Sequence, residues 1–288
     1  MNQPSGLKLY GVIGHPIGHS LSPLMHNTAF EALSLSASMS AFDIEPQSLK
    51  EALQGFMTME FGGINVTIPH KESIIPLLDV IDEEASIIGS VNTVKFQDRR
   101  TLGFNTDAFG FLQTLEPIRS SIDGGKFVVL GSGGAARAVV YVLLKHFRTS
   151  QIVIASRSIS RVNDLMEHFK GSNQTKLSPF DPRNPQFARI FEASDVVINA
   201  TPAGMFPKTN EMPMPNPPFR AGQTAMDLIY RPVRTQFLQR ASHVGARIIS
   251  GLEMFIHQGA RAFEIWTGLA MDTQLVHEVI SRKLEQEA

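Results

Sequence analysis

The sequence predicts an α/β protein in two domains, and three observations carry that expectation. Short β-rich runs alternate with helix-period segments along most of the chain, the pattern of parallel strands joined by crossover helices. The pattern restarts after the loop SSIDGG, where KFVVLGSGGAARAVVYVLLKHF gives an apolar strand, a glycine turn and a helix with no polar loop between them. The chain is also 288 residues long, more than one compact core usually organises, and its 43% hydrophobic content suits packed cores.

In the first part, LKLYGVIG, SMSAFDI and FGGINVTI read as strands, with helical patterns at LMHNTAFEAL and QSLKEALQGF. SVNTVKFQDRRTLGFNTD reads as two short strands around a charged turn, followed by a helix that starts near Asp107. After the restart, the strand candidates are QIVIAS, DVVINA, TAMDLIY and ARIIS, and the Pro-rich FPKTNEMPMPNPP is a loop. From Leu252 onward the pattern is purely helical. Those helices have no strand of their own to cover, so they are expected to return and pack against the first domain. The expected division is 1–107 with 252–288 as one domain, and 108–251 as the other.

Charge and composition narrow the function. A formal net charge of -1 gives no general attraction to nucleic acid or an anionic membrane, so any anion is bound locally. With no Cys there are no disulfides, thiolate nucleophiles or thiolate metal sites, which suits a reducing, cytoplasmic compartment. No apolar stretch is long enough to span a bilayer. The nine His residues show no paired ligand spacing, so no metal is expected.

Within GSGGAARA, Gly131, Gly133 and Ala136 fit G-x-G-x-x-G/A between a strand and a helix. Gly131 allows a tight turn, Gly133 lets backbone approach a pyrophosphate, and Ala136 lets helix and strand pack closely. Ser132, Gly134 and Ala135 complete the turn, and the helix amides face the anion. After the next strand, where an NAD site places Asp or Glu on the ribose, the chain reads Ser156-Arg157-Ser158, with Arg161 beyond. Arg157 offers a planar fork of donors, the serines add hydroxyls, and Arg161 adds a second charge, so the expected cofactor is NADP(H). The plain alternative is a pair of solvated surface arginines.

Polar groups gather in the first domain. Ser20 and Ser22 in HSLSP either cap a helix or hold a carboxylate, and the two roles are compatible. In NVTIPHK, a strand with Asn65 and Thr67 runs through Pro69 to Lys71 at a helix start. There a lysine beside a carboxylate can act as acid or base, whereas a lone one faces solvent. Asn92 in SVNT and Asn105 with Asp107 in FNTD add hydrogen-bonding groups and the carboxylate, although Asp107 also suits a helix N-terminus through the dipole.

Taken together, HSLSP, NVTIPHK, VNT, FNTD, GSGGAARA, SR with SISR, NATPAGM, DLIYRP and GLEMFIHQGARAFEIWTG resemble the shikimate dehydrogenase family over nearly the whole chain. The resemblance implies NADPH-dependent reduction of 3-dehydroshikimate to shikimate. It implies that Ser20 and Ser22 hold the substrate carboxylate, with Tyr230 nearby, and that Thr67, Lys71, Asn92, Asp107 and Gln258 surround the ring hydroxyls. Lys71 and Asp107 are the implied catalytic pair. On the cofactor side it adds Thr201, Leu228 near the nicotinamide, and Gly251, whose missing side chain lets backbone approach the ring. Bland roles stand beside three of these: strand-end packing for Tyr230, a surface amide for Gln258 and a tight turn for Thr201.

Two departures are visible. Ser156 and Ser158 stand where the family commonly has Asn and Thr, and Glu253 replaces a frequent glycine. The expected partner is a small-molecule substrate, and the sequence leaves both a monomer and a homodimer open. Two rivals remain: a quinate/shikimate dehydrogenase using NAD or NADP, and a non-catalytic metabolite sensor of the same fold.

Overall fold

The structure is a computed structural model that describes residues 6–171 and 177–287. In chain order, β1 (Lys8–Gly14), α1 (Ser22–Ala32), β2 (Ala37–Asp43), α2 (Leu49–Thr58), β3 (Gly63–Val66) and α3 (His70–Ser73) open the chain. Next come β4 (Val80–Ile81), α4 (Glu83–Ile88), β5 (Thr93–Gln97), β6 (Arg100–Phe104), α5 (Asp107–Leu115) and α6 (Arg119–Ile122). They are followed by β7 (Lys126–Leu130), α7 (Gly134–His146), β8 (Gln151–Ala155), α8 (Ile159–His168), β9 (Leu177–Phe180) and α9 (Phe187–Glu192). The chain ends with β10 (Val196–Asn199), β11 (Thr224–Asp227), α10 (Gln236–His243), β12 (Arg247–Ile249), α11 (Leu252–Thr267) and α12 (Thr273–Gln286). Two compact units result: Met1–Phe109 with Ile256–Glu287, and Gly110–Phe255.

The first unit holds a six-stranded mixed sheet in the order β2-β1-β3-β5-β6-β4. β1, β2 and β3 run parallel, while β5 pairs antiparallel with both β3 and β6. The charged turn in QDRR explains the antiparallel hairpin: Gln97 pairs with Arg100, and the two residues between, Asp98 and Arg99, have φ of 51° and 59°. Two left-handed residues in a two-residue loop match the right-handed strand twist. Ile13, Ile64, Val66, Val91 and Val94 build the core under this sheet with Leu49, Leu53, Phe56 and Phe61.

The last helices belong to this unit, the return anticipated for a helical tail with no strand of its own. α12 packs on α1. On α11, Trp266 donates its indole N–H to the Val94 carbonyl oxygen at 3.0 Å, and Lys95 Nζ reaches the Ile265 carbonyl at 2.9 Å. The indole sits so close to the sheet that a Cβ on Gly63 would overlap Trp266 Nε1.

The second unit holds an all-parallel sheet in the order β12-β11-β10-β7-β8-β9. Counted from β7, this is the doubly wound 3-2-1-4-5-6 order, whose direction switches between β7 and β10. Its inner strands β7, β8 and β10 are buried on both faces, which is why KFVVL, QIVIA and VVIN read as near-continuous apolar runs without alternation. Two strands were not legible in the sequence, β4 and β9, and both are edge strands. β4 has two residues, too few to show a period, and β9 carries Pro179, which a central ladder excludes. Among the described residues no helix is long and apolar enough to cross a membrane.

Candidate active site

In the first unit, three motifs converge on one buried pair. Asn65 lies within β3, and after Pro69 the chain turns into α3, whose second residue is Lys71. The hairpin partner β6 ends at Phe104 and leads into α5, whose first residue is Asp107. Lys71 Nζ lies 2.6 Å from Asp107 Oδ2, with the two side chains 15% and 6% exposed. At such burial a lone charge would be costly, and the pair with its further hydrogen bonds offsets that cost.

Those further bonds come from Asn92. Its Nδ2 lies 2.8 Å from Asp107 Oδ1, 2.9 Å from Thr106 Oγ1 and 3.4 Å from Gln258 Oε1. Its Oδ1 accepts from the Thr106 amide at 2.7 Å and from the Thr93 hydroxyl at 3.2 Å. The Thr93 hydroxyl also accepts from Asn65 Nδ2 at 3.3 Å. The Asn92 amide is thus held the right way round, with its donor end toward the carboxylate. Sequence reasoning missed Thr93 and Thr106; a Thr beside a polar motif carries no signal until the hairpin pairs Thr93 with Phe104.

Two plainer readings of these residues stand beside this geometry. Asp107 begins α5, yet its carboxylate is occupied by Lys71 and Asn92, and the cap comes from Asn105 Oδ1, which accepts from the Ala108 amide at 3.1 Å. Ser20 Oγ accepts from the Ser22 amide at 3.2 Å, while the residue at the α1 cap is Leu21, with no side-chain cap bond. Thr67 sits between β3 and α3, where its carbonyl accepts from the His70 amide at 2.8 Å. Gln258 lies on α11 and joins the Asn92 network.

In the second unit, the residues expected to hold the cofactor collect at the carboxyl ends of the parallel strands, where open α/β sheets bind ligands. Gly131 follows β7 with φ +117°, and a Cβ there would stand 2.9 Å from the Ala200 carbonyl oxygen at the end of β10. Only glycine fits that switch-point turn without strain. Gly133 is the cap residue just before α7 and makes no side-chain cap bond, and a Cβ on it would meet nothing within 4 Å. Ala136 is fully buried. The N-terminus of a 13-residue helix with no side-chain cap fits the pyrophosphate of a dinucleotide.

After β8, Ser132 Oγ donates to Ser156 Oγ at 3.2 Å, and the Ser158 amide donates to the same oxygen at 3.3 Å. Arg157 and Arg161 are exposed. Arg183, beyond β9, reaches the Arg157 carbonyl at 3.5 Å and pairs with Asp181, so a third arginine stands at this corner that the sequence did not single out. The Thr201 amide and hydroxyl both donate to Asn199 Oδ1, at 3.0 and 2.7 Å. The Leu228 amide donates to the Asn199 carbonyl at 3.0 Å. The α-carbon of Gly251 faces the Leu228–Ile229 backbone, and a Cβ there would overlap the Leu228 carbonyl oxygen. Tyr230 belongs to this unit, stacked on Phe255 with ring centres 4.0 Å apart.

The fold and these two clusters define a doubly wound α/β protein of the dinucleotide-binding class, joined to a mixed-sheet unit that carries a buried Lys–Asp pair. Residues 12–94 match the shikimate dehydrogenase substrate binding domain, and 251–280 match the shikimate 5'-dehydrogenase C-terminal domain. Residues 127–208 match a saccharopine dehydrogenase NADP binding domain. The chain is 42% identical over 272 residues to the shikimate dehydrogenase (NADP(+)) of Moorella thermoacetica, covering 94% of this chain and 92% of that one. A crystal structure of a shikimate dehydrogenase in complex with NADP+ superposes with a TM-score of 0.87 at 37% identity, over 98% of this chain and 99% of that one. Shikimate 5-dehydrogenase from Thermus thermophilus, solved with NADP(H) and shikimate, gives a TM-score of 0.82 at 36% identity, over 96% of this chain and 99% of that one. The chain belongs to the shikimate dehydrogenase family.

Proposed function

We propose that the chain catalyses the reversible NADPH-dependent reduction of 3-dehydroshikimate to shikimate, the step of chorismate and aromatic amino acid biosynthesis, with Lys71 and Asp107 as its catalytic pair. The observation that carries this reading is the 2.6 Å contact between Lys71 Nζ and Asp107 Oδ2, buried among Asn92, Thr106 and Gln258. NADPH, when bound, supplies the hydride. The substrate oxygen that gains charge as the ketone is reduced takes a proton from Lys71 Nζ. Asp107 Oδ2 holds the ammonium in place, while Asn92, through Asp107 Oδ1, holds the carboxylate. Ser20 and Ser22 receive the substrate carboxylate, and Thr67, Asn92 and Gln258 align the ring hydroxyls, which turns a loose encounter into a fixed geometry.

The glycine turn 131–136 and the start of α7 hold the pyrophosphate. Ser156, Arg157, Ser158 and Arg161 hold the 2′-phosphate, where no carboxylate between 156 and 161 opposes it. The chain works in the cytoplasm, a reading supported by the absence of Cys.

Initial rates with shikimate and with quinate, each with NADP+ and with NAD+, test the assignment. Shikimate with NADP+ is expected to give the fastest appearance of reduced nicotinamide. A clear preference for quinate with NAD+ overturns it in favour of a quinate dehydrogenase. Ligand binding with no change in nicotinamide absorbance for any pair overturns it in favour of a sensor.

A further inference from the structure

Asp227 ends β11, is fully buried, and has no part in the chemistry above. Burial pushes its carboxyl up to about 6, against hydrogen bonds that favour the charged form. Those bonds come from three directions: Asn199 Nδ2 at 3.0 Å and the Ile229 amide at 3.1 Å donate to Oδ1, and the Thr235 hydroxyl donates to Oδ2 at 2.7 Å. Thr235 is itself the cap of α10, accepting from the Leu238 amide at 3.3 Å.

The pairing with Asn199 has a directional consequence. Asn199 and Asp227 are register partners at the ends of β10 and β11. An ionised carboxylate only accepts hydrogen bonds, so the Asn199 amide must turn its NH2 toward it. That leaves Asn199 Oδ1 facing away, where it accepts from both the amide and the hydroxyl of Thr201. The opposite amide orientation would set oxygen against carboxylate and NH2 against two donors. The Leu228 amide, one residue beyond the carboxylate, is anchored to the Asn199 carbonyl, and the Ile229 amide to the carboxylate itself.

We propose that Asp227 is a positioning residue for the nicotinamide-side half of the dinucleotide site, holding Thr201 and the Leu228 turn in place through Asn199 without touching the ligand. The inference rests on the reading of Thr201 and Leu228 as cofactor contacts. A buried carboxylate is a costly way to fill a strand end, since an apolar residue would pack there with no charge to desolvate. Its acceptor-only character is what orients the amide.

Because Arg157 lies beyond β8, which β7 separates from β10, while the network itself ends at Thr201 beside Gly131, the two halves of the ligand separate the role from a loss of folding. Binding of NADP+ and of adenosine 2′,5′-bisphosphate is measured by calorimetry on the wild-type protein and on Asp227→Asn. The substitution is expected to weaken NADP+ by about tenfold, through loss of an oriented, charge-assisted contact, and to leave the bisphosphate within about twofold. Equal weakening of both ligands, or of neither, overturns the proposal. If Asp227→Asn does not fold, Thr235→Val, which removes one of the three donors, is expected to give the same split at about threefold, and its absence overturns the proposal. A wild-type protein that binds neither ligand removes the NADP reading itself, a result visible before any variant is made.

Discussion

At His26 the imidazole is fully buried beside Phe30, Phe263 and Trp266. Burial lowers its pKa to about 3, against a smaller opposing effect of the neighbouring Asn65. The folded value lies below the unfolded one, so the unfolded chain binds the extra proton between these values. The stability contribution is therefore complete above about 6.5 and lost as pH falls toward about 3. Urea unfolding at pH 7 and pH 5 is expected to show His26→Leu losing about 2 kcal/mol less than wild type over that interval. Asp227, raised to about 6, acts in the other direction: its contribution is present at low pH and lost as pH rises through that value. The effect of His26 is accordingly the difference between wild type and variant, and equal losses in both would contradict it. At this scale the sequence was legible where a residue type has few uses. Lys71, Asp107 and Asn92 stood out because polar groups clustered in short motifs, whereas the burial of His26 and Asp227 is set by neighbours distant in the chain.

At the scale of elements, legibility followed the strength of the local pattern. The strand, glycine turn and helix at 126–146 are adjacent in sequence, so the turn could be read directly and the structure places Gly131 at the switch point with φ +117°. The hairpin Thr93–Phe104 was readable from its two charged turn residues. Edge strands β4 and β9 were not, because a two-residue strand and a proline-bearing one lack the pattern of a central strand. The docking of α11 was inferable only from the lack of a sheet for it to cover. Its contact residue, Gly63, can be tested: Gly63→Ala sets a methyl group against an indole already anchored to Val94. Overpacking of that kind is expected to cost about 1–3 kcal/mol of unfolding free energy. Unchanged stability in urea would show that the helix is not seated as described.

Across the whole molecule, each unit brings distant segments to one place. Lys71, Asn92 and Asp107 come from three motifs, and Gln258 is 166 residues from Asn92 in the chain. A sequence reading could group these residues only through the family pattern, since nothing local links a C-terminal helix to a hairpin. The buried Lys71–Asp107 pair carries the chemistry in this account, and the residues proposed to hold the cofactor lie on a separate sheet. Removing the amine should therefore stop turnover while sparing the dinucleotide. The most direct test is steady-state shikimate oxidation with NADP+ in Lys71→Ala, alongside the NADP+ dissociation constant of the same variant. The expected result is a fall in kcat of about 10²–10⁴-fold, the span that a positioned acid or base contributes, with NADP+ affinity near that of the wild type. Near-normal turnover in Lys71→Ala would contradict the account.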